Sequence, residues 1–190
     1  MRKTLREILQ TALMAVLMFA GLQVSVQTYR VEGSSMQETL QPGQYLLVNK
    51  LVYYRLDMSR LSRILPFLDA DSEDVKYVFH PPARGEIVVF HYPLDPTRDF
   101  VKRVIGLPGD TVEIRDGVVV VNDGELDDPY VVQVSRAPMR ETVLGPDEYF
   151  VLGDNRLHSN DSRNWGPVPL ENIVGRAWIG YWPLSDFTAF

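Results

Sequence analysis

Cysteine is absent from the 190 residues, and histidine occurs only three times, at His80, His91 and His158. The first absence excludes a disulfide framework, a thiolate metal site and a cysteine nucleophile. The second leaves little imidazole for catalysis, and no H-x-x-x-H motif or carboxylate cluster has ligand spacing, so neither metal nor cofactor is expected. Basic charge is also scarce. The formal net charge of −6 argues against nucleic acid as a partner, because phosphate binding needs a basic surface. Internal repeats, low-complexity tracts and a sustained amphipathic helical period in the second half are all missing, which disfavours a helix-alternating α/β fold. What remains, 45% hydrophobic and 11% aromatic residues, is enough to pack one domain and excludes global disorder.

Charge is missing from one long stretch in particular. After Arg2, Lys3, Arg6 and Glu7, no charged residue occurs over the 22 positions from Ile8 to Tyr29. As a helix that run would span roughly 33 Å, against a hydrocarbon core of about 30 Å. The expected organisation is a cytoplasmic N-terminus (1–7), a transmembrane anchor (8–29) and an extracytoplasmic domain (30–190), because basic residues stay inside. That makes a single-pass protein of the cell membrane, with the lipid bilayer as one partner. A cleaved signal sequence is the alternative, since Gln10, Thr11, Gln23, Ser25, Gln27 and Thr28 interrupt the apolar run. No clear A-x-A site follows it.

Beyond the anchor the pattern is β. Segments 44–54, 85–92, 99–106, 110–122 and 130–134 are short runs rich in Val, Ile, Tyr and Phe between Gly, Pro and Asp, and 149–155 and 175–183 add two more. Asp116-Gly117 suits a type I′ hairpin turn. The expected fold is mainly β, a coiled antiparallel sheet or partly open barrel, with one N-terminal transmembrane helix. Residues 55–83 read as an insertion. Its first part mixes apolar residues with arginines, fitting a lid or an element that dips into headgroups. Asp69, Asp71, Glu73 and Asp74 then suit a solvated loop, lacking the EF-hand glycine and terminal glutamate.

Two adjacent serines, Ser34 and Ser35 in "VEGSSMQETL", sit just past the anchor. A serine becomes a nucleophile only when a base takes its proton and donors meet the developing oxyanion. Two bases are available. His158 in "GDNRLHSNDSRNWG" could form a triad with Asp154 or Asp161. Lys102 in "DFVKRVIGLPGD" could act directly if burial among Phe100, Val101 and Val104 lowers its pKa. His80 and His91, beside prolines or at a strand end, suit structural roles.

The ordered strings "GSSMQETL", "RGEIVVFHYP", "FVKRVIGLPGD" and "GDNRLHSNDSRNWGPVP", behind an N-terminal anchor, resemble bacterial type I signal peptidases, the Ser/Lys membrane proteases that remove signal peptides from exported preproteins. The resemblance implies Ser35, the serine before methionine, as nucleophile and Lys102, the lysine before arginine, as general base. It implies that Ser159 helps orient the lysine, that Asp154, Asp161 and Arg163 support the site, and that His158 has no catalytic post. The Ser35 N–H is the expected oxyanion donor. Gly33 stands where some members place a second hydroxyl donor, which leaves Ser34 as a substitute. Val31, Met36, Leu40, Phe100 and Val101 are candidate pocket walls for small residues at positions −1 and −3 of the substrate, or core. Signal peptides of preproteins and the secretion translocon are the implied partners.

Departures from the family pattern are Glu38 in place of the usual proline, Gln44 where an acid usually follows Gly43, and the less polar Leu157 and His158. Three other readings compete: a self-cleaving Ser/Lys peptidase, a non-catalytic anchored β-domain that binds extended peptides, and a His158 triad hydrolase.

Overall fold

The computed structural model describes residues 2–37, 39–57, 75–131 and 135–190. Glu38, most of the 55–83 segment and three residues of the strand expected over 130–134 lie outside them. Helix α1, Arg2–Ser25, opens the chain. Its length, about 36 Å at 1.5 Å per residue, is enough to cross a hydrocarbon core. Leu9, Leu13, Met14, Leu17 and Phe19 are all more than half exposed, and none of the candidate span is buried against protein. An apolar helix left exposed among the described residues fits a membrane anchor.

The helix is shifted from the expected 8–29. It takes in the basic N-terminus, and strand β1, Val26–Arg30, replaces its last turn. Val26, Thr28 and Tyr29 are β-branched or aromatic, and the strand gains a full antiparallel ladder with β2, Tyr45–Asn49, running from Val26 opposite Asn49 to Arg30 opposite Tyr45. The uncharged residues 26–29 therefore belong to a strand rather than to the helix.

Next come β3 (Arg55–Asp57) and β4 (Val75–Tyr77), which pair with each other and close the flanks of the insertion. They are followed by β5 (Ile87–Tyr92) and the long β6 (Asp95–Gly106). A second sheet begins with β7 (Thr111–Arg115), β8 (Val118–Val121) and β9 (Gly124–Glu125), and takes β10 (Met139–Val143) on its other side. β11 (Glu148–Leu152), a one-turn helix α2 (Ser162–Trp165), β12 (Val168–Pro169), β13 (Ile173–Trp182) and β14 (Thr188–Ala189) complete the chain.

The main sheet runs β1-β2-β13-β5-β6-β11-β12, with β14 on β13, and every pairing described is antiparallel. Asp116 and Gly117 turn β7 into β8 with φ of 51° and 88°, as a type I′ turn requires. β5 is central and covered on both faces. Val88 and Phe90 join one apolar cluster with Val104, Tyr149 and Val151. Ile87 and Val89 join another with Met36, Leu40, Leu46 and Val48. A third cluster, containing Ile105, Val112, Ile114 and Phe150, joins the second sheet to the first.

Candidate active site

Ser35 lies in the turn that follows β1. Met36 and Leu40, 1% and 0% exposed, sink into the core and fix that turn, and the Leu40 N–H donates to the Met36 carbonyl at 2.8 Å. Gly33 takes φ of 79°, a left-handed conformation that disfavours a side chain there. Across the site, Lys102 stands on β6 opposite Val88. Its Nζ is 2.7 Å from Ser35 Oγ and donates to the Val101 carbonyl at 2.8 Å. The Phe100 ring centroid lies 5.4 Å from the same atom.

Lys102 is 4% exposed. Burial lowers its pKa from 10.5 to about 8, the largest cause, while Asp161 and Asp154 oppose the shift by favouring the ammonium. A neutral amine can keep a proton on the Val101 carbonyl and offer its lone pair to the Ser35 hydroxyl. That is the geometry of a nucleophile with its base.

The carbonyl of Ser35 is seated by the Asn155 N–H at 3.1 Å. Gly153 allows this approach, since a Cβ there would overlap both the Ser35 carbonyl oxygen and Ser159 Oγ. Asp154 is fully engaged: Arg103 forks onto it at 2.9 and 2.7 Å, and the Thr39 hydroxyl donates at 2.6 Å. Asp161 accepts from the Gly153 N–H at 3.0 Å and from Arg163 at 2.7 and 2.9 Å, and caps α2.

Ser159 departs from its implied part. Its Oγ is buried without a hydrogen-bond partner among the described residues, while Lys102 is held by Ser35 and Val101. The hydroxyl packs against Gly153, close to the dyad without bonding the lysine. His158 Nδ1 pairs with Asn155 Oδ1 at 3.2 Å. Asp154 and Asp161 spend their oxygens on arginines, Thr39 and backbone, so neither pairs with His158 to form a triad. His91 pairs with Asp99 at 2.7 Å and His80 with the Pro81 carbonyl at 2.7 Å, both at the surface. No grouping of metal-ligating side chains occurs among the described residues.

A groove of about 600 Å³ leads to the dyad. Residues 29–35 form one side and 98–102 the other, with Leu46, Val89, His158 and Asn160 completing the lining. Of the expected wall residues, Val31, Phe100 and Val101 line it, as does Ser34. Met36 and Leu40 do not, because both are buried in the core cluster that contains Ile87 and Val89. Sequence reasoning missed Leu46 and Val89, although Val89 lies inside the "RGEIVVFHYP" string, because both reach the groove only through sheet register. It also missed Arg103, Gly153 and Asn155 as site builders, although all three lie inside the motifs that carry Lys102 and Asp154.

β1 is the last strand of its sheet, and β11 covers β6 only from Arg103 onward. Two unpaired strand edges therefore face the groove among the described residues.

The sequence model of the family described as "Signal peptidase, peptidase S26" matches residues 4–182. A curated "Signal peptidase I" of Leptolyngbya laminosa is 39% identical over 64% of this chain and 66% of its own length. "Probable signal peptidase I-2" of Synechocystis is 35% identical over 94% of this chain and 73% of its own. "Signal peptidase I" of Bacillus caldolyticus is 35% identical over 91% and 89%.

Proposed function

We infer the activity from a premise and a geometry: the chain belongs to the peptidase S26 family of signal peptidases, and its Ser35 hydroxyl meets a buried Lys102 amine at 2.7 Å. The protein is a membrane-anchored serine endopeptidase that removes signal peptides from exported preproteins. The Ser35–Lys102 contact carries this reading. Neutral Lys102 takes the Ser35 proton as Oγ attacks the scissile carbonyl. The Ser35 N–H, which has no partner among the described residues, faces the oxyanion, and Ser34 is the neighbouring hydroxyl able to add a second donor. The lysine then protonates the leaving amine, and water, deprotonated by the same lysine, releases the acyl group.

The substrate enters as an added strand between the free edges of β1 and β6. Val31, Leu46, Val89, Phe100 and Val101 bound shallow apolar pockets, which suits small side chains at positions −1 and −3. With the basic N-terminus in the cytoplasm, α1 anchors the domain on the outer face of the cell membrane, where preproteins emerge from the translocon.

The test is cleavage of a signal-peptide substrate by the full chain in detergent. Ser35→Ala is expected to remove turnover, and Ser34→Ala to lower kcat by at most about ten-fold, the effect of weakening one secondary oxyanion donor. Turnover that survives in Ser35→Ala but is lost in Ser34→Ala would reverse the assignment. His158→Ala is expected to act on KM alone, with kcat within about three-fold of wild type. A collapse of kcat in that variant would favour the triad instead.

A further inference from the structure

We propose that residues 127–131, which leave the second sheet after β9, brace the active site through two arginines: Asp128 holds Arg156, and Tyr130 holds Arg103. The proposal rests on the assignment of Ser35 and Lys102 above and gives the second sheet a part in catalysis. Arg156 and Asp128 form an ion pair with side chains 5% and 9% exposed, and Arg156 Nε donates to the Gly153 carbonyl at 3.0 Å. The turn so clamped, 153–156, contains the Asn155 N–H that seats the Ser35 carbonyl and the Gly153 backbone that packs on it. Asp128 thus reaches Ser35 through its ion pair with Arg156, the peptide bond from Arg156 to Asn155 and one hydrogen bond.

The second contact reaches the base. Tyr130 lays its ring 3.5 Å from the Arg103 guanidinium carbon, a cation–π contact with a largely desolvated partner. Arg103 follows Lys102 directly, and it is held from other directions by Asp154 and by the Gly85 carbonyl at 2.7 Å. Two side chains only two residues apart therefore fix the residue after the base and the residue after Asn155. The ring is a cover rather than a core residue, being 46% exposed, so it can be replaced without emptying the interior.

A brace and a merely stabilising contact differ in what they do to Lys102. The groups that face its Nζ are the Ser35 hydroxyl, the Val101 carbonyl and the Phe100 ring, with Asp154 and Asp161 as the charges that act on it. None changes in a Tyr130 or Asp128 variant. Loosening the brace admits water, and hydration favours the ammonium, so the Lys102 titration moves up toward an ordinary lysine.

Because the chain has four lysines, Lys3, Lys50, Lys76 and Lys102, each can be followed by NMR of lysine labelled at Cε in the full chain in micelles. In Tyr130→Leu and Asp128→Asn the Lys102 titration is expected to rise by about half a pH unit or more, with kcat toward a signal peptide down roughly ten-fold and KM little changed. Tyr130→Phe and Asp128→Glu, which keep the ring and the charge, are expected to restore both. An unmoved Lys102 titration in Tyr130→Leu and Asp128→Asn overturns the brace, whatever happens to the melting temperature. The titration needs no turnover. A wild type inert toward preproteins would thus sink the protease reading, while the brace would still be judged on Lys102.

Discussion

Lys102→Met is expected to lower kcat/KM for a signal-peptide substrate by at least about 10³-fold, since in the proposed mechanism it removes the group that takes and returns every proton in the cycle. Methionine fills much of the same volume, so the loss is chemical rather than a packing defect. The wild-type pH profile should show the same group. Only the neutral amine can accept the Ser35 proton, and with the lysine at about 8 the rate should fall ten-fold per pH unit well below that value. A profile flat from pH 6 to 9 would exclude Lys102 as base.

The same variant should be more stable than wild type at pH 7. The folded-state pKa lies below the ordinary value of 10.5, so the unfolded chain binds the proton more tightly and the buried lysine costs stability. That cost is full below about 8 and disappears as the pH rises toward 10.5, so wild-type stability rises across that window. Removing the charge at pH 7 should recover up to about 3 kcal/mol, seen as a raised Tm. A Tm gain at pH 7 that shrinks at pH 10 is the expected signature. Equal Tm differences at both pH values would mean that burial of the charge is not the cause.

Asp154→Ala is expected to be the most damaging single change to the fold. Asp154 and Arg103 are 1% and 4% exposed, and the carboxylate accepts three hydrogen bonds, two from Arg103 and one from Thr39. Removing it leaves a guanidinium buried without its counter-ion, which costs about 3–5 kcal/mol. For a chain of this size that corresponds to a drop in Tm of roughly 6–20 °C. Activity should fall further than stability at assay temperature, because Arg103 follows the base and Asp154 precedes the residue that seats Ser35. Calorimetry and turnover on the same preparation separate the two effects. A loss below about 1 kcal/mol would mean that water reaches the pair.

Gly33, Ser35, Lys102 and the GDN…DSR string show how much was legible before any fold was known. Each is a short motif whose chemistry depends on residue type and local order, and the β content followed from short Val-, Ile- and Tyr-rich runs between turn residues. The errors have one source. The expected anchor takes in Val26–Tyr29 because uncharged residues suit a membrane span and a strand alike. Met36 and Leu40 stay open between pocket wall and core in the sequence, because apolar residues beside a nucleophile suit both, and the structure puts them in the core. Composition does not record which neighbour a side chain faces.

The sequence by itself determined the chemistry available to this protein: no thiol, little imidazole, two adjacent serines just past the apolar run, one lysine among apolar neighbours, and a span long enough for a bilayer. Only the tertiary structure decided which of these groups meet. Ser35 and Lys102 are 67 residues apart, and no local propensity acts across that distance. Their contact comes from the antiparallel register of β5 and β6 and from Met36 burying itself under the turn. Burial of the Lys102 amine lowers its pKa from 10.5 to about 8, toward the range that the proposed base needs.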